Sequence, residues 1–308
     1  MRALDWRRVF SSAVLAPVVL ATAGCLAVAW VGLEAVYAPA FLPDRQVVRD
    51  LAYAGDARRE RLDLYCPEGR GWPVLVFAYG GGWRAGSKDL RIAGADVYGN
   101  LGRFFAARGL GVAVVDYRLQ PEVTWREQVA DVAAASAWVR AHIASYGGNP
   151  RALFLAGHSA GGQLVTFVTL NRDVRARWGL AGDAIRGTIV VSGAGLDLTD
   201  ERQYELGASR RYFAERFGDG TGDRWKREAS ALAYARPGAP PFLLVVAGQD
   251  PAWIQWQMHL LYSALRGAGG EASVQSVEQE NHFSLVLALS REGATTRALL
   301  GFVSQQAR

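Results

Sequence analysis

The residues Gly157-His158-Ser159-Ala160-Gly161 are the part of this 308-residue chain whose types and spacing suit covalent chemistry. They follow an apolar run at 153–156 and precede a stretch of small residues, so they read as a strand-to-helix turn. A serine held on so sharp a turn takes a strained backbone that lifts its hydroxyl above the sheet as a nucleophile. Side chains at 157 and 161 would collide across the turn, hence glycine at both. A helix beginning at Ala160 would aim its free N–H groups and positive dipole end at a developing oxyanion. In a chain with 35 glycines a bare five-residue pattern arises by chance, and the flanking strand and helix give this one its weight. The competing reading is a glycine-rich connection in a nucleotide-binding sheet.

A second signal, Tyr79-Gly80-Gly81-Gly82-Trp83, comes directly after the apolar run 74–78. Consecutive glycines let the backbone approach a substrate and turn N–H groups inward, where they would complete an oxyanion hole begun by the N–H of Ala160. The bland reading is a flexible turn.

A reactive serine needs a base, and the base an orienting carboxylate. Of the four histidines, His142 and His259 fall inside helical patterns and read as packed or surface residues. His158 neighbours the serine but should point off the strand the other way, which makes it structural. His282 follows a strand at 273–277 and a polar loop ending Glu280-Asn281, a fitting place for the base. Asp250 follows the strand 242–246 and is the expected acid. Asp197, after the preceding strand, is its rival, and Glu280 shares the base's own loop and is poorly placed to orient the ring from behind. The order Ser159, Asp250, His282 is the order used by α/β hydrolases.

These residues need a scaffold, and from about residue 45 strand-like and helix-like segments alternate, as in an α/β fold with a mostly parallel sheet. Strands are expected at 61–66, 74–78, 111–115, 153–156, 188–191, 242–246 and 273–277. Helices are expected at 125–144, from 160, at 253–266 and at the C-terminus, with Tyr146-Gly147-Gly148-Asn149-Pro150 closing the first. The stretch 198–241 is polar, aromatic-rich and broken by glycine. It reads as an excursion from the sheet whose Tyr204, Tyr212, Phe213 and Phe217, with Trp83, Trp253 and Trp256, would wall an apolar or aromatic acyl pocket, the competing reading being that most of them are core.

The chain from about residue 58 to its end resembles the α/β-hydrolase-3 and feruloyl-esterase-like carboxylesterases, a group that includes kynurenine formamidase-like and prenylcysteine-methylesterase-like enzymes. The resemblance rests on Gly80-Gly81-Gly82-Trp83-Arg84-Ala85-Gly86-Ser87-Lys88, Asp116-Tyr117-Arg118-Leu119, Tyr146 to Pro150 and Gly157 to Gly162. It implies an α/β-hydrolase fold, a triad of Ser159, Asp250 and His282, and oxyanion donors on Gly81, Gly82 and Ala160. It also implies a structural role for Asp131. Two departures stand out. Tyr79 replaces a histidine that braces the glycine loop, so its hydroxyl is expected to substitute. The acid turn Gly248-Gln249-Asp250 is one residue shorter than is common.

The expected activity is hydrolysis of a small-molecule carboxylic ester, with no cofactor or metal. The alternatives are an amidase or arylformamidase using the same triad, and a non-catalytic membrane-tethered binding module. The net charge of +5 and pI near 9.4 come almost wholly from scattered arginines, with no basic run interleaved with aromatics, so nucleic acid is not an expected partner. Two cysteines, Cys25 and Cys66, imply no disulfide framework, and the histidines are too widely spaced for a metal cluster. Residues 1–44 form a separate segment: Arg2, Arg7 and Arg8 precede 25 uncharged residues (9–33), about 37 Å as a helix against about 30 Å of hydrocarbon. The expectation is a single-pass transmembrane anchor with the catalytic domain (45–308) outside the cytoplasm. Cleavage near Ala21-Thr22-Ala23, giving a secreted protein, is the alternative. Oligomeric state leaves no mark on the sequence.

Overall fold

The computed structural model describes residues 46–307 apart from Ala57, Ala93 and Thr221. The expected anchor lies outside the described residues, and among those described no helix is long and apolar enough to cross a membrane.

Among the described residues ten strands follow in order: β1 (Val47–Ala52), β2 (Arg61–Tyr65), β3 (Trp72–Ala78), β4 (Arg91–Ile92), β5 (Ala95–Asp96), β6 (Gly111–Val115), β7 (Gly148–His158), β8 (Gly187–Val191), β9 (Phe242–Ala247) and β10 (Ala272–Val277). Eight form one sheet in the order β1-β2-β6-β3-β7-β8-β9-β10, and β4 pairs with β5 in a small separate hairpin. Only β2 runs against the rest of the large sheet, so β3, β7, β8, β9 and β10 all end on one side of the molecule. That C-terminal edge is where open α/β sheets carry their sites.

The helices are α1 (Val97–Ala106), α2 (Trp125–His142), α3 (Ala160–Leu170), α4 (Arg172–Arg177), α5 (Arg202–Glu205), α6 (Arg210–Phe217), α7 (Arg224–Ala229), α8 (Ala252–Gly267), α9 (Ser284–Ala288) and α10 (Ala294–Gln306). Residues 198–241 carry α5, α6 and α7, the excursion expected from their composition. The central strands β6 and β8 are buried at every position, as strands covered by helices on both faces are, and the polar Thr188 of β8 is satisfied by the Thr169 hydroxyl at 2.8 Å. Edge strand β10 instead mixes exposed and half-buried residues.

One boundary departs from expectation. Helix α2 opens on a capping box from Thr124 and Glu127 but stops at His142, passing through a 3-10 turn (Ile143–Tyr146) to Gly147 at φ 103°. The segment Gly148-Asn149-Pro150, expected to be loop, then begins β7, with Gly148 set beside Trp72 of β3 ahead of a register shift. A Cβ at Gly148 would lie 2.5 Å from Ile143 and 2.7 Å from Trp72, so glycine there lets the strand start against a packed indole.

Candidate active site

The site begins with the turn that ends β7. Ser159 sits at φ 53°, ψ −117°, a left-handed conformation costly for a side chain with a Cβ. Its N–H donates to the Val191 carbonyl of β8 at 3.0 Å, and its own carbonyl accepts from Gln163 at 3.2 Å. These bonds hold the strained residue from the sheet below and from the helix it starts. A Cβ at Gly157 would stand 2.3 Å from the Gly161 carbonyl oxygen, the collision expected across the turn. A Cβ at Gly161 would meet the backbone of β3, 2.1 Å from the Ala78 oxygen, so this glycine serves the approach of the helix to the neighbouring strand.

His282 reaches Ser159 from the loop after β10. Its Nε2 lies 2.9 Å from Ser159 Oγ, and its Nδ1 lies 2.8 Å from Asp250 Oδ1. The structure thus brings the three sequence-expected residues into one hydrogen-bonded line, with Asp250 buried at the inner end. Rival Asp197 is elsewhere, accepting from the N–H and hydroxyl of Thr199 at 2.9 and 2.6 Å. Glu280 pairs with Arg291. His142 stacks on Trp138 and His259 on Trp256, both outside the site.

The glycine loop closes over the turn. The Gly81 carbonyl accepts from the N–H groups of Ala85 (3.0 Å) and Arg84 (3.3 Å), which fixes the Gly81–Gly82 peptide and turns the Gly82 N–H to its opposite side. No group among the described residues accepts from the N–H of Gly81, Gly82 or Ala160. Positive φ at Gly81 (141°) and Gly82 (59°) permits this path, and a Cβ at Gly81 would lie 2.0 Å from the Ala85 oxygen. Arg216 Nε donates to the Gly82 carbonyl at 3.0 Å, a brace from the excursion helix α6 that no local pattern announces. Lys88, buried at the far end of the loop, ties it to Asp63 of β2 (3.0 Å) and Asp50 of β1 (2.8 Å).

Three expectations need correction. Tyr79 braces the loop through its ring: it stacks on Tyr117 at 4.7 Å and fills the space beside Gly86, where a Cβ would lie 2.5 Å from the ring. Burial pushes its hydroxyl well above the ordinary range, and that hydroxyl has no hydrogen-bond partner of good geometry among the described residues. Trp83 is 1% exposed, donates its indole N–H to Gln163 at 3.2 Å and packs edge-on against Phe217, so it is core beneath the loop and not a pocket wall. Phe213 and Phe217 are likewise buried, while Tyr212 and Trp253 remain half-buried. His158 does not point away. Its Nε2 hydrogen-bonds the His282 carbonyl at 2.8 Å, and its Nδ1 lies 2.6 Å from where a Gly80 Cβ would be. Burial, and secondarily the neighbouring His282, lower its pKa to about 3, so this ring is neutral and its Nε2 is the donor.

Ser192 is the residue the sequence reading passed over. At the end of β8, with φ 44°, it donates its hydroxyl to Asp250 Oδ2 at 2.5 Å, and the Ala247 N–H reaches the same oxygen at 3.2 Å. The acid is therefore held on both oxygens, and the short acid turn is closed by Asp250 N–H to the Ala247 carbonyl at 3.2 Å. The signal available was a polar residue directly after the apolar run Ile189–Val191. Asp131 takes a bidentate contact from Arg118 (3.0 and 2.6 Å) on helix α2, away from the serine. Among the described residues no group of acidic, histidine or cysteine side chains could hold a metal ion, and Cys66 is a free, buried thiol whose pKa burial raises to about 11.

The sheet order, the serine on its strained turn and the line of three side chains define an α/β hydrolase. The profile of the BD-FAE family matches residues 62–265, about two thirds of the sequence, and the chain belongs to that family. It is 39% identical over 132 residues to a probable isoprenylcysteine alpha-carbonyl methylesterase of Oryza sativa subsp. japonica, covering 42% of this chain and 29% of that protein. It is 29% identical over 243 residues to the esterase LipQ of Mycobacterium tuberculosis, covering 75% of this chain and 55% of that protein. The chain thus spans between about a third and about half of the length of these relatives. An esterase structure from Pyrobaculum calidifontis superimposes with a TM-score of 0.71 at 21% identity over 91% of each chain, a likeness of fold.

Proposed function

We propose that this protein is a serine carboxylesterase acting through an acyl-enzyme on Ser159. The observation that carries the proposal is the unbroken line Ser159 Oγ–His282 Nε2 (2.9 Å) and His282 Nδ1–Asp250 Oδ1 (2.8 Å). His282 takes the Ser159 proton as Oγ attacks the ester carbonyl. The N–H groups of Gly81, Gly82 and Ala160 receive the oxyanion, and His282 passes the proton to the departing alcohol. Water, activated by the same imidazole, then releases the acid. Asp250 keeps the imidazole in the tautomer with its proton on Nδ1. The esterases among the relatives support an ester in preference to an amide. The proposal extends to residues 1–44 as a membrane anchor that holds the catalytic domain outside the cytoplasm, supported by three arginines ahead of 25 uncharged residues.

The test is labelling with a fluorophosphonate, with the modified residue mapped by mass spectrometry. Stoichiometric modification at Ser159, with none in a folded Ser159→Ala variant, is expected. A folded wild type that resists the probe and hydrolyses no ester would reject the assignment.

A further inference from the structure

Three large apolar side chains are exposed among the described residues: Ile92 (40%), Val274 (51%) and Phe283 (77%). Ile92 lies on the β4–β5 hairpin and Val274 on edge strand β10, whereas Phe283 follows His282 directly. Its ring stands edge-on to the imidazole, centroids 5.5 Å apart and planes at 85°. The turn that carries it is pinned at several points. The N–H groups of Phe283 and Ser284 both donate to Asn281 Oδ1 at 3.0 Å, the Asn281 N–H donates to Ser284 Oγ at 2.9 Å, and His158 holds the His282 carbonyl. An exposed apolar ring is thus presented on a fixed backbone, while Trp83, Phe213 and Phe217 are committed to the core and Tyr212 and Trp253 are half-buried.

The chemistry decides which half of an ester meets this ring. During acylation the Oγ–carbonyl bond forms, the bond from the carbonyl carbon to the alcohol oxygen breaks, and His282 Nε2 hands that oxygen its proton. The alcohol oxygen must therefore come within hydrogen-bond reach of Nε2, while the carbonyl oxygen faces Gly81, Gly82 and Ala160. The Phe283 ring is the exposed apolar surface next to the imidazole that protonates this oxygen. Resting on the esterase reading above, we propose that Phe283 is a specificity-determining platform for the leaving group, and that the substrates are carboxylic esters of bulky apolar or aromatic alcohols. Such an alcohol covers the exposed ring and removes apolar surface of both partners from water.

The experiment measures kcat/KM of the full chain and of Phe283→Ala and Phe283→Leu variants on two series. One holds butyrate constant and varies the alcohol through methyl, hexyl and benzyl; the other holds methanol constant and lengthens the acyl chain. In Phe283→Ala the hexyl-to-methyl and benzyl-to-methyl ratios should fall about tenfold. Phe283→Leu should recover most of the hexyl ratio, and the ratios along the acyl series should not move. A loss spread evenly over all alcohols, or one that tracks acyl length, overturns the assignment. Fluorophosphonate labelling run alongside keeps the two readings apart. Labelling with unchanged alcohol ratios sinks the role of Phe283 alone, and absence of labelling in the wild type removes the esterase reading and this one together.

Discussion

The two halves of the site are built by different means. At the centre of the sheet, where β3 and β7 end, backbone does the positioning: Ser159 at φ 53°, Gly81 and Gly82 at positive φ, and glycines whose missing Cβ atoms would stand 2.0–2.6 Å from neighbouring atoms. Toward the edge, where β8, β9 and β10 end, side-chain hydrogen bonds do it: Ser192 to Asp250, His158 to the His282 carbonyl, Asn281 to its own turn. The central half tolerates one residue type at each critical position, because a backbone contact cannot give way. The edge half relies on partners that a related donor can replace, so substitutions there should act by degrees.

The sharpest way to break this contrast is Gly161→Ala. The added methyl would lie 2.1 Å from the Ala78 oxygen and 2.4 Å from the Tyr79 oxygen, both backbone atoms of the central sheet and its loop. Loss of folded, soluble protein or of all fluorophosphonate labelling is expected, and an active Gly161→Ala enzyme would show that helix α3 can move off β3. Next in size is Gly81→Ala, whose Cβ meets the Ala85 oxygen at 2.0 Å in a φ region L residues avoid. The loop must shift and misplace the Gly82 N–H, so kcat should fall by roughly 10²–10³, the usual cost of an oxyanion donor. Circular dichroism would confirm that the sheet survives.

Ser192→Ala probes the edge half and should cost less. It removes the 2.5 Å bond to Asp250 Oδ2 and leaves the Ala247 N–H at 3.2 Å on the same oxygen. A hydrogen bond to a charged group contributes about 1.5–3 kcal/mol, part of it to folding and part to aligning the imidazole. The expected result is a roughly tenfold fall in kcat with KM little changed, and a lower Tm. Loss as complete as in Gly161→Ala would erase the distinction between the halves.

The same distinction decides what the sequence could disclose. Gly157 and Gly81 were legible because a steric demand within a few residues leaves its mark as a residue type, whereas the demand on Gly161 comes from the backbone at Ala78 and Tyr79 and that on Gly82 from the Tyr212 hydroxyl. The inner strands were legible because doubly covered strands are largely apolar runs, and Ser159 and Asp250 follow two of these, whereas His282 follows edge strand β10. Ser192 and Arg216 were not legible, since each acts on a group 58 or 134 positions away, and a polar residue after an apolar run does not say which partner it holds. Trp83 was misread for a related reason: an aromatic beside a glycine loop lines a pocket or fills the core according to residues such as Gln163 and Phe217, distant in the chain. Asp197 lost to Asp250 only in three dimensions, where Thr199 occupies its carboxylate.

His158 joins the halves, lying on the central strand while holding the loop of the base, and its protonation offers the finest test. Its folded pKa of about 3 is depressed from 6.5 chiefly by burial, so between those values the unfolded chain binds more protons than the folded one. Stability from this residue is intact above pH 6.5 and is lost as the pH falls toward about 3. At about pH 5 the loss amounts to roughly 2 kcal/mol. A His158→Gln variant keeps a donor for the His282 carbonyl but has no proton to take up, so its stability should fall less on going from about pH 7 to about pH 5, by that amount. Urea unfolding of both proteins at the two pH values measures the difference directly. Parallel losses would mean that the imidazole is protonated within the fold, and a charged ring could not sit neutral between the glycine loop and His282 as the geometry requires.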